Sequence, residues 1–385
     1  MEATPRKATG IKRFALCYDG GSIGQEPDEH GVMQEPKNDE HFRRACEPVI
    51  EQFQQLTKAM IGITVEVDYF FRSKKDSINK HPSSWAGMAA ETQKRQDEEY
   101  DAIGFLMGTD TAASAMGAVA LLAHENNSLR IPIDFTAAQL PIYRFDGDGR
   151  FNLMCLLKTL VVACQRNIAD VMFNFSYEIF KAVRVQKCSP DDFDGFMSPS
   201  LPTIGKFHAY KYGVDLDTRF LRTADKRMQS GRMDLSIGFD SSGVHMLDLQ
   251  PGYQAQQIRK LIDDQNPKVI ILRTDGDHNV SNEEDDFNLI PVIANATKNG
   301  VTVLLTTKYP TKSPVMGGRT AMEDSSNHAT YGPGEEALNA GAIACGDITN
   351  PTIWAKVLRG RAKKILDWKQ YMKMNIADEV SEYAG

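Results

Sequence analysis

The chain has 385 residues, 42% of them apolar and 25% charged, and a formal net charge of −7 at pH 7. That size and mixture predict a soluble globular protein of two domains, and the acidic balance excludes broad nucleic-acid binding, which needs clustered Lys and Arg against phosphate. No apolar run is long enough to span a bilayer and no signal-peptide pattern opens the sequence, so no membrane partner is expected.

Residues 14–18 read as a buried strand that runs into Asp19-Gly20-Gly21-Ser22-Ile23-Gly24. A polar stretch follows over residues 25–40, and its part with Gly and Pro punctuation, 25–36, reads either as a mobile lid or as a solvated loop. Helical periodicity covers 41–60, a strand 63–70, a helix 85–100 and a strand 102–106. Met107-Gly108-Thr109-Asp110-Thr111 then leads into a small-residue helix to about residue 125, with Thr111 as its capping hydroxyl. A strand at 130–135, a helix at 149–167 and a strand at 171–175 continue the alternation.

This order predicts an α/β fold of three layers, α/β/α, on a large and mostly parallel sheet. Residues 207–239 loosen into Lys, Arg, Asp and Gly and read as a connector. A smaller α/β unit follows, with strands at 244–249, 268–273 and 301–306 and helices at 254–263, 287–299 and 351–365, before a polar tail. The expected division is a large domain over 1–206, the connector over 207–239 and a smaller domain over 240–385. The six cysteines (Cys17, Cys46, Cys155, Cys164, Cys188 and Cys345) are scattered without Cys-x-x-Cys spacing. They predict reduced, packing thiols in a reducing, cytoplasmic compartment, with no disulfide framework, metal or cofactor.

Two turns carry the candidate chemistry, each where a strand gives way to a polar segment, the place at which open α/β sheets bind ligands. Asp19 to Gly24 taken alone reads as a tight glycine turn. Its rival reading exposes Ser22 as a nucleophile beside backbone N–H groups that face an oxyanion. No phosphate-loop pattern is present. Thr109-Asp110 reads as helix capping or, since it supplies more polar groups than a cap requires, as a functional pair. Lys187 alone is a surface lysine; near Thr109 and Asp110 it becomes a candidate base.

Taken in order, these pieces resemble the asparaginase family, in particular its type I, cytoplasmic-type branch. Asp19 to Gly24 matches the first signature, Thr-Gly-Gly-Thr-Ile-Ala/Gly, and Met107 to Thr111 matches His-Gly-Thr-Asp-Thr. Ala138-Gln139-Leu140-Pro141, Asp148-Gly149-Arg150-Phe151-Asn152-Leu153, Ser198-Pro199-Ser200 and Gly346-Asp347-Ile348-Thr349 match further blocks, so the resemblance spans about residues 14–365. It implies a side-chain amidohydrolase in which Ser22, or alternatively Thr109, is the first nucleophile and Thr109, Asp110 and Lys187 form the Thr–Lys–Asp triad. It implies that Ser77, Thr109, Asp110 and Gly21 hold the substrate. It also implies a homodimer or homotetramer acting on a small-molecule amide.

The departures from the family pattern concern substrate recognition. Asp19 replaces the first Thr and adds a negative charge, and Met107 replaces the His. Val32 stands where the lid tyrosine is expected, and Ile78 offers nothing polar to an α-amino group. Asp275 and Asp277 make the Gly-x-Gly-Asn block acidic. These departures leave two further readings, a divergent member that binds a ligand with little turnover and a component of a tRNA-dependent amidotransferase. The second is disfavoured because only about a dozen residues precede the first strand.

Overall fold

Apolar strands alternating with helices that have one apolar face hide both sides of a parallel sheet, and the chain uses this arrangement twice. The computed structural model describes residues 10–210, 212–224, 231–276, 278–309 and 332–381. The chain forms two compact units, one running to Met197 with Thr203–Leu235, the other made of Ser198–Pro202 and the residues from Ser236 onward.

In chain order the first unit contains β1 (Ile11–Tyr18), a small hairpin of β2 (Glu26–Pro27) and β3 (Met33–Gln34), α1 (Asp39–Ile61), β4 (Thr64–Phe71) and α2 (Pro82–Asp97). There follow β5 (Ala102–Leu106), α3 (Ala112–Glu125), β6 (Ile133–Thr136), α4 (Gly149–Gln165), β7 (Val171–Phe175) and β8 (Glu178–Lys181). A short ribbon of β9 (Gln186–Lys187) and β10 (Phe196–Met197) precedes β11 (Gly205–Phe207) and β12 (Val214–Leu216).

The eight-stranded sheet runs β12-β11-β8-β7-β6-β5-β1-β4. From β4 through β7 neighbouring strands are parallel, while β8, β11 and β12 join antiparallel. The chain leaves β1 for β4 on one side and returns as β5 on the other. That reversal creates a switch point between β1 and β5, where an open sheet leaves a crevice at the carboxyl ends of its strands. Register pairs Tyr18 with Leu106, so the loops after both strands start level.

The core follows from the pattern. Every residue of β5, β6 and β7 is buried, and Phe105 stacks on Phe135 at 4.9 Å. Phe42, Cys46, Val49, Ile50 and Phe53 form the single buried stripe of α1. Strand β6 starts only at Ile133, because Pro132 has no N–H to give to a ladder. The region expected to be a connector carries β12, the last strand of the large sheet, and its chain stays in the first unit to Leu235. Short antiparallel strands of this kind leave no long alternation in the sequence.

The second unit contains β13 (Val244–Asp248), α5 (Ala255–Gln265), β14 (Val269–Thr274), α6 (Ile290–Lys298), β15 (Thr302–Thr307), α7 (Gly332–Asn339), β16 (Ile343–Ala344), α8 (Asn350–Ala362) and α9 (Trp368–Lys373). Its four-stranded sheet, β13-β14-β15-β16, is parallel throughout, over a core that includes Ile258, Ile270, Val292 and Leu305. The expected polar tail is instead anchored. Lys356 Nζ lies 2.7 Å from Glu379 Oε1 with both side chains fully buried, and Glu379 also accepts from the N–H groups of Ile376 and Ala377. Among the described residues no helix is long and apolar enough to cross a membrane.

Candidate active site

The turn after β1 is packed backbone to backbone against its neighbour. Gly21 has φ 99° and ψ 167°, and a Cβ there would sit 2.3 Å from the Gly108 backbone. A Cβ on Gly108 would in turn lie 2.7 Å from Ser77 Oγ. Only residues without side chains let these three loops close on one another. Ser22, next in the chain, donates its hydroxyl proton to the Ala138 carbonyl at 2.7 Å, and Ile142 N–H donates to Ile23 O at 2.9 Å.

The loop that receives Ser22 is itself fixed. Asp148 accepts from Gln139 N–H at 3.0 Å and Leu140 N–H at 2.9 Å, and Asn152 Nδ2 bonds both Asp148 and Ala137 O. Burial pushes the Asp148 carboxyl up, and the two backbone donors pull it back toward the carboxylate.

The second turn gathers the expected triad. Lys187 at the end of β9 donates from Nζ to Thr109 Oγ1 at 2.9 Å and to Asp110 Oδ1 at 2.8 Å. Thr109 is buried, whereas the side chains of Lys187 and Asp110 are 21% and 52% exposed. The capping expectation fails here. Thr111 makes no side-chain cap for α3 and instead donates its hydroxyl to Ser77 O at 2.9 Å. Asp110 N–H donates to the buried Ser77 Oγ at 3.3 Å, which ties the Ser77 loop to the triad.

Of the residues singled out from the sequence, Thr109, Asp110 and Lys187 are joined by hydrogen bonds, Ser77 is bonded to Asp110, and Gly21 packs on Gly108. Gly21 is expected to hold substrate, and its N–H donates to the chain's own Glu35, 3.1 Å from Oε1. Asp19 does not add a free charge to the site. Its buried carboxylate meets Lys80 Nζ at 3.0 Å and Arg72 Nε at 3.4 Å, so two cations neutralise it. Ile78 is exposed, its N–H bonded to Asp76, and Val32 is exposed in the β2–β3 hairpin. Met107 is buried.

In the second unit Asp275 pairs with Lys308 at 2.6 Å, and Asp277 lies outside the described residues. Ser200 Oγ donates to Asp347 O at 3.0 Å, bringing the Ser198–Ser200 and Gly346–Thr349 blocks together. Among the described residues no group of three or more His, Cys, Asp or Glu is placed to hold a metal. Sequence reasoning missed Tyr18 and Glu35, which hold the Ser22 turn, and Lys80 and Arg72 around Asp19. A tyrosine just before Asp-Gly-Gly was the only local signal, since Glu35 stands among other acidic residues of a polar stretch.

Comparison with known proteins identifies the family and the fold. The family model described as Asparaginase, N-terminal matches residues 13–219. L-asparaginase 1 of Escherichia coli K12 is 25% identical over 338 residues, covering 88% of each chain. A glutamyl-tRNA(Gln) amidotransferase component of Aeropyrum pernix is 25% identical over 377 residues, 96% of this chain and 80% of that protein. The crystal structure of L-asparaginase I from Vibrio cholerae superposes with a TM-score of 0.73 at 21% identity, covering 96% of this chain and 99% of that one.

Proposed function

Because the chain belongs to the asparaginase family, we propose that it is an amidohydrolase that converts a side-chain amide, L-asparagine or a related one, to carboxylate and ammonia through a covalent acyl-enzyme. The observation that carries this reading is the partly exposed Lys187 amine, shared between Thr109 and Asp110 beside the turn that bears Ser22. Structural capping would use a side chain at the helix end, and the N-cap residue of α3, Thr111, makes no side-chain cap.

In the proposed reaction Ser22 Oγ attacks the amide carbon. Its proton travels by way of Thr109 and Lys187 to the departing nitrogen, and the C–N bond breaks to release ammonia. Water then attacks the ester, freeing the carboxylate and restoring the Ser22 hydroxyl. Asp110 orients the lysine and takes a substrate ammonium, Ser77 takes a substrate carboxylate, and backbone N–H groups near Thr109 stabilise the oxyanion. Acid–base assistance of this type contributes roughly 10²–10⁴-fold. The attack requires Ser22 to turn away from Ala138 O, which its unbranched Cβ permits at small cost. The proposed assembly is a cytoplasmic homodimer or homotetramer.

The bond from Ser22 to Ala138 O also favours a second reading, a family member that binds a ligand without fast turnover. Ser22→Ala separates the two when ammonia release and ligand-induced thermal stabilisation are both measured. The amidohydrolase reading expects release to fall by several orders while stabilisation persists. Stabilisation of wild type by an amide that is never consumed establishes the second reading, and a merely modest loss in Ser22→Ala moves the first attack to Thr109.

A further inference from the structure

A glycine pair before a nucleophile has the loosest backbone the chain offers, yet attack demands placement to a fraction of an ångström. Something must hold Gly21, which no side chain of its own can do. Two residues outside every matched motif do so. Glu35 Oε1 accepts from Gly21 N–H at 3.1 Å and from Gln25 Nε2 at 3.0 Å, and Glu35 Oε2 meets the Tyr18 hydroxyl. The same hydroxyl lies 2.8 Å from Gly21 O as a donor. Both peptide groups flanking the Gly21 Cα are therefore gripped, the N–H by Glu35 and the C=O by Tyr18.

The grip is rigid on the Tyr18 side. Tyr18 is fully buried, its ring 5.0 Å from that of Phe42 and 5.8 Å from that of Phe71. The ring also fills the space beside Gly24, where a Cβ would lie 2.4 Å from Tyr18 Cε2. Burial, reinforced by the Glu35 carboxylate, pushes the phenol's pKa up, so Tyr18 remains a donor at physiological pH. On the other side Glu35 directly follows the exposed β2–β3 hairpin, which His41 ties to α1 through Glu26 at 3.1 Å.

We propose that Glu35 is the positioning residue of the nucleophile turn, fixing through Gly21 N–H and Tyr18 the peptide that aims Ser22. This rests on the reading of Ser22 as nucleophile. The role is geometric and needs no proton transfer by Glu35. One phenolic proton faces two acceptors, Gly21 O and the carboxylate. A glutamine at position 35 would keep its oxygen on Gly21 N–H, donate its amide to the Tyr18 oxygen, and leave the phenol's proton for Gly21 O. Glu35→Gln therefore preserves every bond while removing the charge.

The test compares Glu35→Ala, Glu35→Gln, Tyr18→Phe and the Glu35→Ala/Tyr18→Phe double variant. Ammonia release from L-asparagine and L-glutamine is resolved into kcat and KM, and hydrogen exchange is followed over residues 19–25. Glu35→Ala is expected to lower kcat about 10–100-fold with KM within about threefold, the range for a reacting group displaced by about 1 Å. Exchange at Gly21 rises at least about tenfold, and Glu35→Gln restores both readouts to within about threefold. The double variant is no worse than Glu35→Ala, since the two side chains act as a unit.

The proposal is overturned if Glu35→Ala leaves kcat or Gly21 exchange within about twofold of wild type, or if Glu35→Gln is as impaired as Glu35→Ala. The glutamine variant keeps the test decisive should the alanine variant fold poorly. Wild type inert toward both amides and toward every small amide tried would remove the proposed function, and the clamp would then stand or fall on Gly21 exchange alone.

Discussion

Lys181 and Lys187 lie on one short stretch of chain, and each ammonium sits 2.8 Å from an aspartate. Lys181 and its partner Asp170 are 1% exposed. Lys181 also donates to Phe220 O at 2.9 Å, and Asp170 takes His124 at 3.1 Å together with the N–H groups of Val171 and Arg222. Burial alone would raise the Asp170 carboxyl, but the Lys181 ammonium and His124 beside it hold it well below the usual carboxylate range. Lys187 and Asp110 have the same charges at the same distance, with an open side toward solvent and a shared hydroxyl on Thr109. A saturated buried pair serves the fold. An open pair next to the Ser22 turn has capacity left for a third party.

The sharpest way to break this contrast is to remove each ammonium in turn. Lys187→Met is expected to cut ammonia release by about 10²–10⁴-fold, while unfolding free energy moves by less than about 1 kcal/mol, as for exposed pairs. Lys181→Met should instead destabilise by about 3–5 kcal/mol by stranding the Asp170 charge. Chemical denaturation and steady-state kinetics on the same two proteins decide it; equal stability losses would erase the distinction.

The second unit offers an independent check. Burial lowers the Lys356 amine's pKa and Glu379 opposes the shift. Lys356→Met should also cost about 3–5 kcal/mol, and Lys356→Met/Glu379→Leu should recover most of that. A double variant as unstable as the single one would show that the hydrogen bonds to the chain end, and not the stranded charge, carry the effect.

Acid sharpens the contrast further. The depressed Asp170 carboxyl contributes stability that is complete above the ordinary aspartate pKa of about 3.9 and is lost as pH falls through its lower folded value. Asp134 on neighbouring β6 has the opposite sign. Burial pushes its carboxyl well up, Asn174 is its side-chain partner, and Oδ1 has none. Stability is therefore lost as pH rises above the ordinary aspartate range toward the raised folded value. Asp134→Asn should stabilise by about 1–2 kcal/mol at pH 7 and change little near pH 4 in urea titrations. A variant equally stable or less stable at pH 7 would show that the fold tolerates the charge.

The sequence disclosed what is local or strongly periodic. Strand β5, the small-residue helix α3 and the turn between them are contiguous, and the Thr109-Asp110 pair was legible because a hydroxyl and a carboxylate stand where a strand ends. Lys187 was found only because the order of several blocks resembled a family. What stayed hidden depends on pairs far apart in the chain. Tyr18 with Glu35 and Lys80 with Asp19 look like ordinary residues until the loops close. Glu379 reads as part of a polar tail until Lys356 is seen inside α8. The strands β8, β11 and β12 are too short to show alternation, and Thr111 has the look of a cap while bonding across to Ser77.

The most direct test of the central claim, that the open Lys187 pair serves amide hydrolysis, is ammonia release by wild type and by a Thr109→Ala/Lys187→Met variant. The panel is L-asparagine, L-glutamine and small amides. Release by wild type from at least one amide, abolished in a variant that remains folded, is the predicted result. Two proteins indistinguishable on every amide would contradict it.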